Sequence, residues 1–213
     1  MRFIYSPAAC SISTHIVLEE LATPFEAQRI LARRGDAQTR EFRAINPKGK
    51  VPVLVLDDGT VITETPVILQ YLARTFPQDG LLPADRIHEF EALQICEFLS
   101  NTVHNYGLTR LFRPQFFCAH EEHWETIRSE GREVLIEAFD LIATQFRGEP
   151  YLFETFSIAD ASLFFFELHA CRLHVPMPDR VQAHFEAMLG RAAVRRAIER
   201  EGLVLSEFSV EVA

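Results

Sequence analysis

Cys10 lies where a short apolar strand, Arg2 to Tyr5, is followed by Ser6-Pro7 and then by a helical pattern that begins at Ser11. A thiol at the start of a helix lies near unpaired backbone N–H groups and near the positive end of the helix dipole, and both favour thiolate over thiol. Cysteine also serves as a small buried hydrophobic residue. The strand, loop and helix around Cys10 favour the first interpretation, so we predict a reactive sulfur site here.

His104 is the second candidate for chemistry, because imidazole exchanges protons near neutral pH. The surrounding pattern predicts a long helix on which three polar residues share a side with His104, at i−7, i−4 and i−3. They are Glu97, Ser100 and Asn101. A single histidine is more often an ordinary surface or core residue, so the spacing by itself does not assign a catalytic role.

The sequence does not predict a metal site. His120 and His123 have i, i+3 spacing rather than the H-E-x-x-H spacing of a zinc site, and the glutamates between them indicate a solvated, acidic helix start. The four cysteines are far apart and include no C-x-x-C pair, so we expect neither a metal nor a disulfide framework, and we expect a reducing compartment. These cysteines are Cys10, Cys96, Cys118 and Cys171.

Composition limits the broad class of protein. The chain has 213 residues, 48% of them apolar, which is enough for a substantial core. It contains no apolar run as long as a membrane span, and Phe3 to Tyr5 is too short for the core of a signal peptide, so we expect a cytoplasmic protein. The net charge is −9 and the only lysines are Lys48 and Lys50. We therefore expect neither nucleic acid nor a membrane as a partner.

The first 76 residues alternate between strand and helix patterns. Their order, βαβ-α-ββα, predicts a thioredoxin-like domain with a mixed four-stranded sheet. A hairpin turn at Asp57-Asp58-Gly59 joins the last two strands. The predicted strands are Arg2–Tyr5, Phe25–Leu31, Val53–Leu56 and Thr60–Thr63, and the predicted helices begin near Ser11, Thr39 and Thr65.

The rest of the chain has a different character. Residues 77–86 contain Pro77, Gly80 and Pro83 and read as a linker, and residues 87–213 read as an all-helical domain. The net charge is +1 for residues 1–76 and −10 for residues 77–213, which also indicates two domains. The predicted helices are a long one that includes Phe90 to Leu99, then Trp124–Phe146, Ile158–Arg172 after a capping box at Ser157 and Asp160, Arg180–Leu189 and Ala192–Glu201.

A thioredoxin-like domain followed by a helical domain is the architecture of glutathione transferases, and this chain resembles their bacterial beta class over essentially its whole length. The resemblance implies an α/β thioredoxin-like N-terminal domain plus an all-α C-terminal domain. It rests on five motifs in order: Tyr5 to Ser11, Asn46 to Pro52, Thr63 to Pro66, the segment Phe98 to Pro114, and Ser157 to Asp160.

The resemblance implies that glutathione binds to the first domain as a cosubstrate. A cis bond between Val51 and Pro52 is expected to expose the Val51 N–H and C=O to the cysteinyl part of the peptide. Thr65, as the N-cap with Pro66 at the first helical position, leaves N–H groups for the γ-glutamyl carboxylate. Glu64 is expected to accept the ligand's amino group.

The glycyl carboxylate of glutathione needs positive charge nearby. The resemblance places Arg33 or Arg34 where relatives have a lysine, and the choice between them stays open. The other residues that we assign to the glutathione site on the same basis are Ser11, Lys50 and Asn101.

Cys10 and His104 are the catalytic candidates that the resemblance implies, facing each other across the cleft between the domains. Relatives commonly have Asn where Glu97 falls, and a carboxylate there is expected to put negative charge near the glutathione sulfur or to raise the pKa of His104. Tyr5 is expected to lie behind the site as a supporting residue. A mixed disulfide between Cys10 and glutathione implies thiol-transferase or peroxidase activity beside conjugation, and the C-x-x-S spacing from Cys10 to Ser13 lacks a second cysteine.

The second substrate is expected to be an apolar electrophile, because the helical domain is rich in phenylalanine, including Phe112, Phe116 and Phe117. Family members are usually homodimers, so the resemblance also implies a homodimer, with detoxification as the physiological role. The alternative hypothesis is a non-enzymatic interaction protein that kept the same fold. Binding to immobilised glutathione distinguishes these two hypotheses.

Overall fold

A computed structural model describes residues 1–204 of the chain. Its sheet has the strand order β2-β1-β3-β4. β1 (Arg2–Tyr5) pairs in parallel with β2 (Glu26–Arg29) and antiparallel with β3 (Val53–Val55), and β3 pairs antiparallel with β4 (Val61–Thr63). The predicted mixed four-stranded sheet is therefore confirmed, with strands somewhat shorter at their ends than the pattern indicated.

The central strands are buried on both faces, which is why they read as continuous apolar runs. Side chains alternate between the faces of a strand, and they separate into two clusters here. Phe3 and Leu54 belong to the large core that the helical domain also enters. Ile4 and Val53, which are paired across the strands, belong to a smaller cluster with Phe42 on the other face.

The helices of this domain are α1 (Ser11–Leu21), α2 (Arg40–Ile45) and α3 (Thr65–Thr75). α2 begins after Thr39, whose side chain accepts a hydrogen bond from the Phe42 N–H, as an N-cap does. Short 3₁₀ turns at Ala32–Arg34, Asp36–Gln38 and Pro77–Asp79 complete the connections.

The helical domain begins with α4 (Arg86–Glu97), which Asp85 caps. The helix continues without a break through a π-helix at Phe98–Leu108, and then through α5 (Thr109–Phe112). The apolar pattern predicted a long helix here but not its π-helical part. The remaining helices are α6 (Trp124–Ala143), α7 (Ile158–Leu173), α8 (Asp179–Gly190) and α9 (Ala192–Glu201), with 3₁₀ turns at Pro114–Phe116 and Glu121–His123.

α7 forms the centre of the helical domain, and its residues from Ile158 to Ala170 are all buried. Its aromatic run therefore belongs to the core, as predicted. The predicted capping box is present: the Asp160 carboxylate accepts hydrogen bonds from the N–H of Ser157 at 2.7 Å and from its hydroxyl at 2.8 Å. Within residues 1–204, no helix is long and apolar enough to span a membrane. The predicted helical domain extends to residue 213, and its last nine residues lie outside the described part.

The π-helix is held against α6 by two glycines. A Cβ added to Gly107 would lie 2.3 Å from Leu135 Cδ1, and one added to Gly131 would lie 2.7 Å from Arg110 Cβ and 2.8 Å from the Gly107 carbonyl oxygen. The two helices thus approach more closely than alanine would allow. This contact fixes the segment that carries His104.

Candidate active site

Cys10 lies at the end of the loop between β1 and α1, immediately before the first helical residue. The loop is a turn in which the Ala9 N–H donates to the Ser6 carbonyl at 3.1 Å. The Cys10 thiol donates to the Val51 carbonyl, with Sγ 3.7 Å from the oxygen. The predicted helix-start position of this sulfur is therefore confirmed.

The electrostatic expectation for Cys10 is wrong. Burial raises the pKa of the thiol above its ordinary value and outweighs the hydrogen bond from Thr65, which lowers it. The charge of Glu64 acts in the same direction as burial, and that of Lys50 acts against it. Burial removes water from the thiolate and disfavours it more than the helix start favours it. Cys10 is therefore a protonated thiol at neutral pH.

His104 lies on the π-helix and contacts the aromatic run of α7. Its ring centroid is 5.5 Å from that of Phe165 and 6.4 Å from that of Phe166. Burial lowers the pKa of His104 to about 4, and the charges of Lys50 and Arg113 act in the same direction. The imidazole is therefore neutral at pH 7 and packs against two aromatic rings.

The expected effect of Glu97 on His104 is wrong. The Glu97 carboxylate is exposed and accepts a hydrogen bond from Asn101 Nδ2 at 2.6 Å. The cleft at His104 is lined by Ser100 and by neither Glu97 nor Asn101. The α-helical spacing that placed all three residues beside His104 fails because the backbone is π-helical from Phe98.

Cys10 and His104 line the same cleft, which has an empty volume of about 260 Å³. The thioredoxin-like side of this cleft contributes Cys10, Ser13, Thr65 and Pro66. The helical side contributes Cys96, Ser100, His104, Ser162, Phe165 and Phe166. The cleft thus brings two sulfurs, hydroxyl groups and a neutral imidazole together against an aromatic wall.

The chain is similar to known proteins of one family. Residues 9–75 match the model of the glutathione S-transferase N-terminal domain. The chain is 32% identical to glutathione S-transferase GstA of Escherichia coli O157:H7, over 95% of this chain and all of GstA. The chain belongs to the glutathione S-transferase family. The transferase is also similar to a solved beta-class glutathione S-transferase of Sphingomonas chungbukensis, with 28% identity, a TM-score of 0.78, and coverage of 96% of this chain and all of that one.

A second similar solved structure contains bound glutathione. It is a glutathione transferase homologue from Sulfitobacter with bound glutathione, 26% identical, with a TM-score of 0.84 and coverage of 95% of this chain and 98% of that one. The fold that the sequence predicted, a thioredoxin-like domain plus a helical domain, is thus confirmed. The relatives named glutathione S-transferases and the glutathione bound in the Sulfitobacter structure support glutathione as a substrate.

The Val51-Pro52 peptide bond of the transferase is cis, as the resemblance implied. The segment before it is held by Asn46, whose Nδ2 donates to the Lys50 carbonyl at 2.7 Å. Lys50 itself is exposed, and its charge acts on both Cys10 and His104. The segment before β3 thus brings a backbone carbonyl and a cation close to Cys10.

The start of α3 differs by one residue from the prediction. Glu64, rather than Thr65, precedes the helix, and its backbone is in the left-handed region with φ of 72°. Thr65 is the first helical residue, so its hydroxyl is free of the capping role and reaches the Cys10 thiol. The exposed Glu64 carboxylate forms an ion pair with Lys48, which also donates to the Thr63 hydroxyl at 2.6 Å.

Two residues expected in or near the site are turned away from it. Ser11 is fully buried, and its hydroxyl donates to the Ser6 carbonyl at 3.1 Å and accepts from the Ser6 N–H at 3.3 Å. It stabilises the loop instead of lining the cleft. The Tyr5 hydroxyl donates to the Arg200 carbonyl at 3.1 Å, so this ring supports the loop from the side of α9.

The two arginine candidates occupy different surroundings. The guanidinium of Arg33 lies 5.6 Å from the ring centroid of Phe112, in the helical domain. Arg34 is exposed at the end of the same 3₁₀ turn. Arg33 therefore faces the second domain, and Arg34 has no such contact with an aromatic ring among the described residues.

Sequence reasoning missed several residues of the cleft. Ser13 was visible only as the last residue of the C-x-x-S spacing, and Cys96 only as one of the separated cysteines. The Ser162 hydroxyl donates to Cys96 Sγ at 3.4 Å, and burial raises the pKa of Cys96 to about 12. No sequence signal marks Ser162, because it lies within the buried face of α7. Residues 1–204 contain no group of His, Cys, Asp or Glu arranged to hold a metal ion.

Proposed function

We propose that glutathione binds to residues 1–76 with its sulfur in the cleft between Cys10 and His104, and that residues 87–213 hold the electrophile. The segment 77–86 then connects the two. The observation that carries this proposal is the single cleft lined by Cys10, Thr65 and His104. The bound glutathione in the Sulfitobacter homologue supports it.

The peptide backbone of glutathione is assigned to the cis Val51-Pro52 segment, whose N–H and C=O can pair with an extended peptide. The γ-glutamyl carboxylate is assigned to the N-terminus of α3 at Thr65, where backbone N–H groups and the helix dipole favour an anion. Glu64 is assigned to the amino group.

The glycyl carboxylate is assigned to Lys50 together with Arg33 or Arg34. Lys50 lies near enough to Cys10 and His104 for its charge to act on both. Asn101 is assigned a contact with glutathione only through the resemblance, and its hydrogen bond to Glu97 argues against that contact.

Conjugation uses the neutral imidazole of His104 as a hydrogen-bonding group rather than as an acid. The glutathione S–H bond breaks and its proton passes to solvent, and the His104 N–H stabilises the thiolate that remains. The thiolate donates an electron pair to the electrophilic carbon, whose leaving group departs with its bonding pair. The wall of Phe165 and Phe166 suits an apolar electrophile.

Cys10 provides a second chemistry, thiol transfer. The Cys10 thiol first loses its proton to solvent, and the thiolate then attacks a disulfide that contains glutathione, forming the Cys10–glutathione disulfide and releasing the other thiolate. A second glutathione thiolate then attacks the glutathione sulfur of that mixed disulfide, which yields oxidised glutathione and restores Cys10. In a peroxidase reaction, the Cys10 thiolate attacks the terminal oxygen of a hydroperoxide, the O–O bond breaks and an alcohol leaves, and glutathione converts the resulting sulfenic acid to the same mixed disulfide with release of water.

The proposal is tested by measuring glutathione conjugation to a chlorodinitrobenzene and reduction of a mixed disulfide in Cys10→Ala and His104→Ala. Both variants are expected to lose activity, the first mainly in disulfide reduction and the second mainly in conjugation. Cys118→Ala and His120→Ala are matched controls, because these residues lie together outside the cleft. Unchanged rates in both assays for both site variants would refute the proposed roles.

We also propose a homodimer and a cytoplasmic location with a detoxifying role. Large apolar side chains are exposed on both domains, as a partner surface requires. They include Val61, Val67, Ile87 and Phe90, with exposed fractions of 41–65%. Light scattering after size exclusion tests the dimer, and the substitution Phe90→Glu is expected to shift it to monomer.

A further inference from the structure

The Ala8 residue, two positions before Cys10, has a backbone conformation that alanine rarely adopts. Its φ is 55°, in the left-handed region. A Cβ crowds the neighbouring carbonyl in this region, so a non-glycine residue stays there only when its surroundings hold it. The turn that leads into Cys10 therefore needs an external constraint.

One constraint comes from the end of α9. The Ala8 N–H donates to Glu201 Oε2 at 2.9 Å. The other carboxylate oxygen of Glu201 lies 3.0 Å from His15 Nδ1, and the side chains of both residues are completely buried. The Tyr5 hydroxyl bonds the neighbouring Arg200 carbonyl, so the last turn of α9 contacts the loop at two points.

The other constraint comes from α7. His169 Nε2 lies 3.0 Å from the Ala8 carbonyl oxygen, and since that oxygen can only accept, Nε2 carries the proton. Burial lowers the pKa of His169 to about 4, so the ring is neutral at pH 7. Its ring is fixed between Phe165, with centroids 4.9 Å apart, and Phe112, with centroids 5.1 Å apart.

The two hydrogen bonds act on different peptide planes. The N–H of Ala8 belongs to the plane before its Cα, and the carbonyl belongs to the plane after it. Glu201 and His169 together therefore define φ and ψ of Ala8, and with them the direction in which the chain reaches Cys10.

We propose that Glu201 and His169 are positioning residues that hold the Ala8 turn from two sides and so place the Cys10 sulfur in the cleft. Both belong to the helical domain, so the reactive residue of the first domain is positioned by the second. The inference rests on the proposed function only in that Cys10 is taken as the sulfur of the site.

The first test replaces His169 by Phe, which keeps the aromatic packing and removes the donor. Two quantities are measured: kcat for mixed-disulfide reduction, and the rate at which iodoacetamide alkylates Cys10, followed by peptide mass spectrometry. If loss of the His169 hydrogen bond lets the Ala8 turn move, kcat is expected to fall between about 10- and 100-fold, because small displacements of a reacting group have effects of that size. Alkylation of Cys10 is expected to become faster as the thiol loses its burial, while the KM for glutathione stays unchanged.

His169→Gln restores a donor near the position of Nε2 and is expected to recover most of kcat. His169→Met and Glu201→Met remove the same bonds with flexible apolar side chains, and they replace the first variant if it does not fold. Cys96 is the internal control: it lines the same cleft but is only 1% exposed, so faster alkylation of Cys10 alone indicates movement of the Ala8 turn, and faster alkylation of both cysteines indicates opening of the fold and overturns the local explanation.

Glu167→Gln is the matched control for loss of a buried histidine partner. Glu167 bonds His184 Nδ1 at 2.7 Å inside the helical domain, whereas the Ala8 N–H and carbonyl bond Glu201 and His169. This variant is expected to melt at a lower temperature and to leave Cys10 alkylation and kcat unchanged. The proposal is overturned if His169→Phe behaves in the same way as Glu167→Gln. If His169→Phe accelerates alkylation while Cys10→Ala retains disulfide reduction, the positioning role stands and the proposed function of Cys10 fails.

Discussion

The Sγ atom of Cys10 lies 3.7 Å from the carbonyl oxygen of Val51. These residues are far apart in sequence, and the antiparallel pairing of β1 with β3 brings them together. Because antiparallel partners run in opposite directions, the last residue of β1 and the first residue of β3 lie at the same end of the paired strands. The sulfur and the peptide-binding segment therefore share one end of the thioredoxin-like domain.

Thr65→Val is expected to raise the pKa of Cys10 further, because it removes a hydrogen bond that lowers the pKa. Glu64→Gln is expected to lower it, since the Glu64 charge disfavours the thiolate. The measurement is the pH dependence of Cys10 alkylation in the ligand-free protein, which should rise at a higher pH than for an ordinary thiol. If the pKa of Cys10 shifts in the same direction in both variants, the assigned effects of Thr65 and Glu64 are contradicted.

Glu97→Gln is expected to leave the KM for glutathione unchanged, because the Glu97 carboxylate is exposed and bonded to Asn101 outside the cleft. Glu64→Gln, a matched loss of one carboxylate, is expected to raise that KM roughly tenfold, as loss of a hydrogen bond to a charged group does. Steady-state kinetics with glutathione as the varied substrate measures both. A larger effect at position 97 than at position 64 would refute this placement of the two carboxylates.

Acid is expected to destabilise the protein through His104 and His169. Both have folded pKa values of about 4, below the ordinary value of 6.5. The unfolded chain therefore binds more protons between these values, and the stability that each neutral ring contributes is present above pH 6.5 and lost as the pH falls towards 4. Denaturant unfolding at several pH values should show a smaller loss in His169→Phe. An identical pH dependence in the variant would argue against a buried neutral ring.

His184 is expected to behave in the opposite way. Burial opposes its charge, but the carboxylates of Glu167 and Asp160 outweigh burial and raise its pKa to about 10. The stability that the charged His184 ring contributes through these two carboxylates is therefore complete below pH 6.5 and lost as the pH rises towards 10. An NMR titration should find the His184 ring protonated at pH 8, and a neutral ring at that pH would exclude the buried ion pair.

Gly131→Ala is expected to destabilise the protein by about 1–3 kcal/mol, because the new methyl group overlaps Arg110 Cβ and the Gly107 carbonyl. It should also lower conjugation by displacing the π-helix that carries His104. Gly190→Ala is the control, since a Cβ there meets nothing within 4 Å and alanine favours a helix. Thermal melting and conjugation rates measure both changes. Equal stability of the two variants would show that the helices can separate without cost.

Local signals predicted most of the fold. The capping box at Ser157 and the Pro66 position gave helix starts to within a residue, and the apolar run at Val53 gave a buried strand. The π-helix was not predictable, because its apolar pattern also fits an α-helix. The pKa of Cys10 was predicted in the wrong direction because a sequence shows a helix start but not the burial that opposes it. The bond from Ala8 to Glu201 joins residues 193 positions apart, and no local pattern can indicate it.

The π-helix at Phe98–Leu108 affects how this chain should be aligned with its relatives. Each wider turn holds an extra residue, so every position after the segment is shifted on the helix surface relative to an α-helix of the same length. A relative with an ordinary helix here should align with this chain only if a gap is placed inside the segment. An ungapped alignment will pair the residues of α5 with residues of the relative that do not occupy the same place in space.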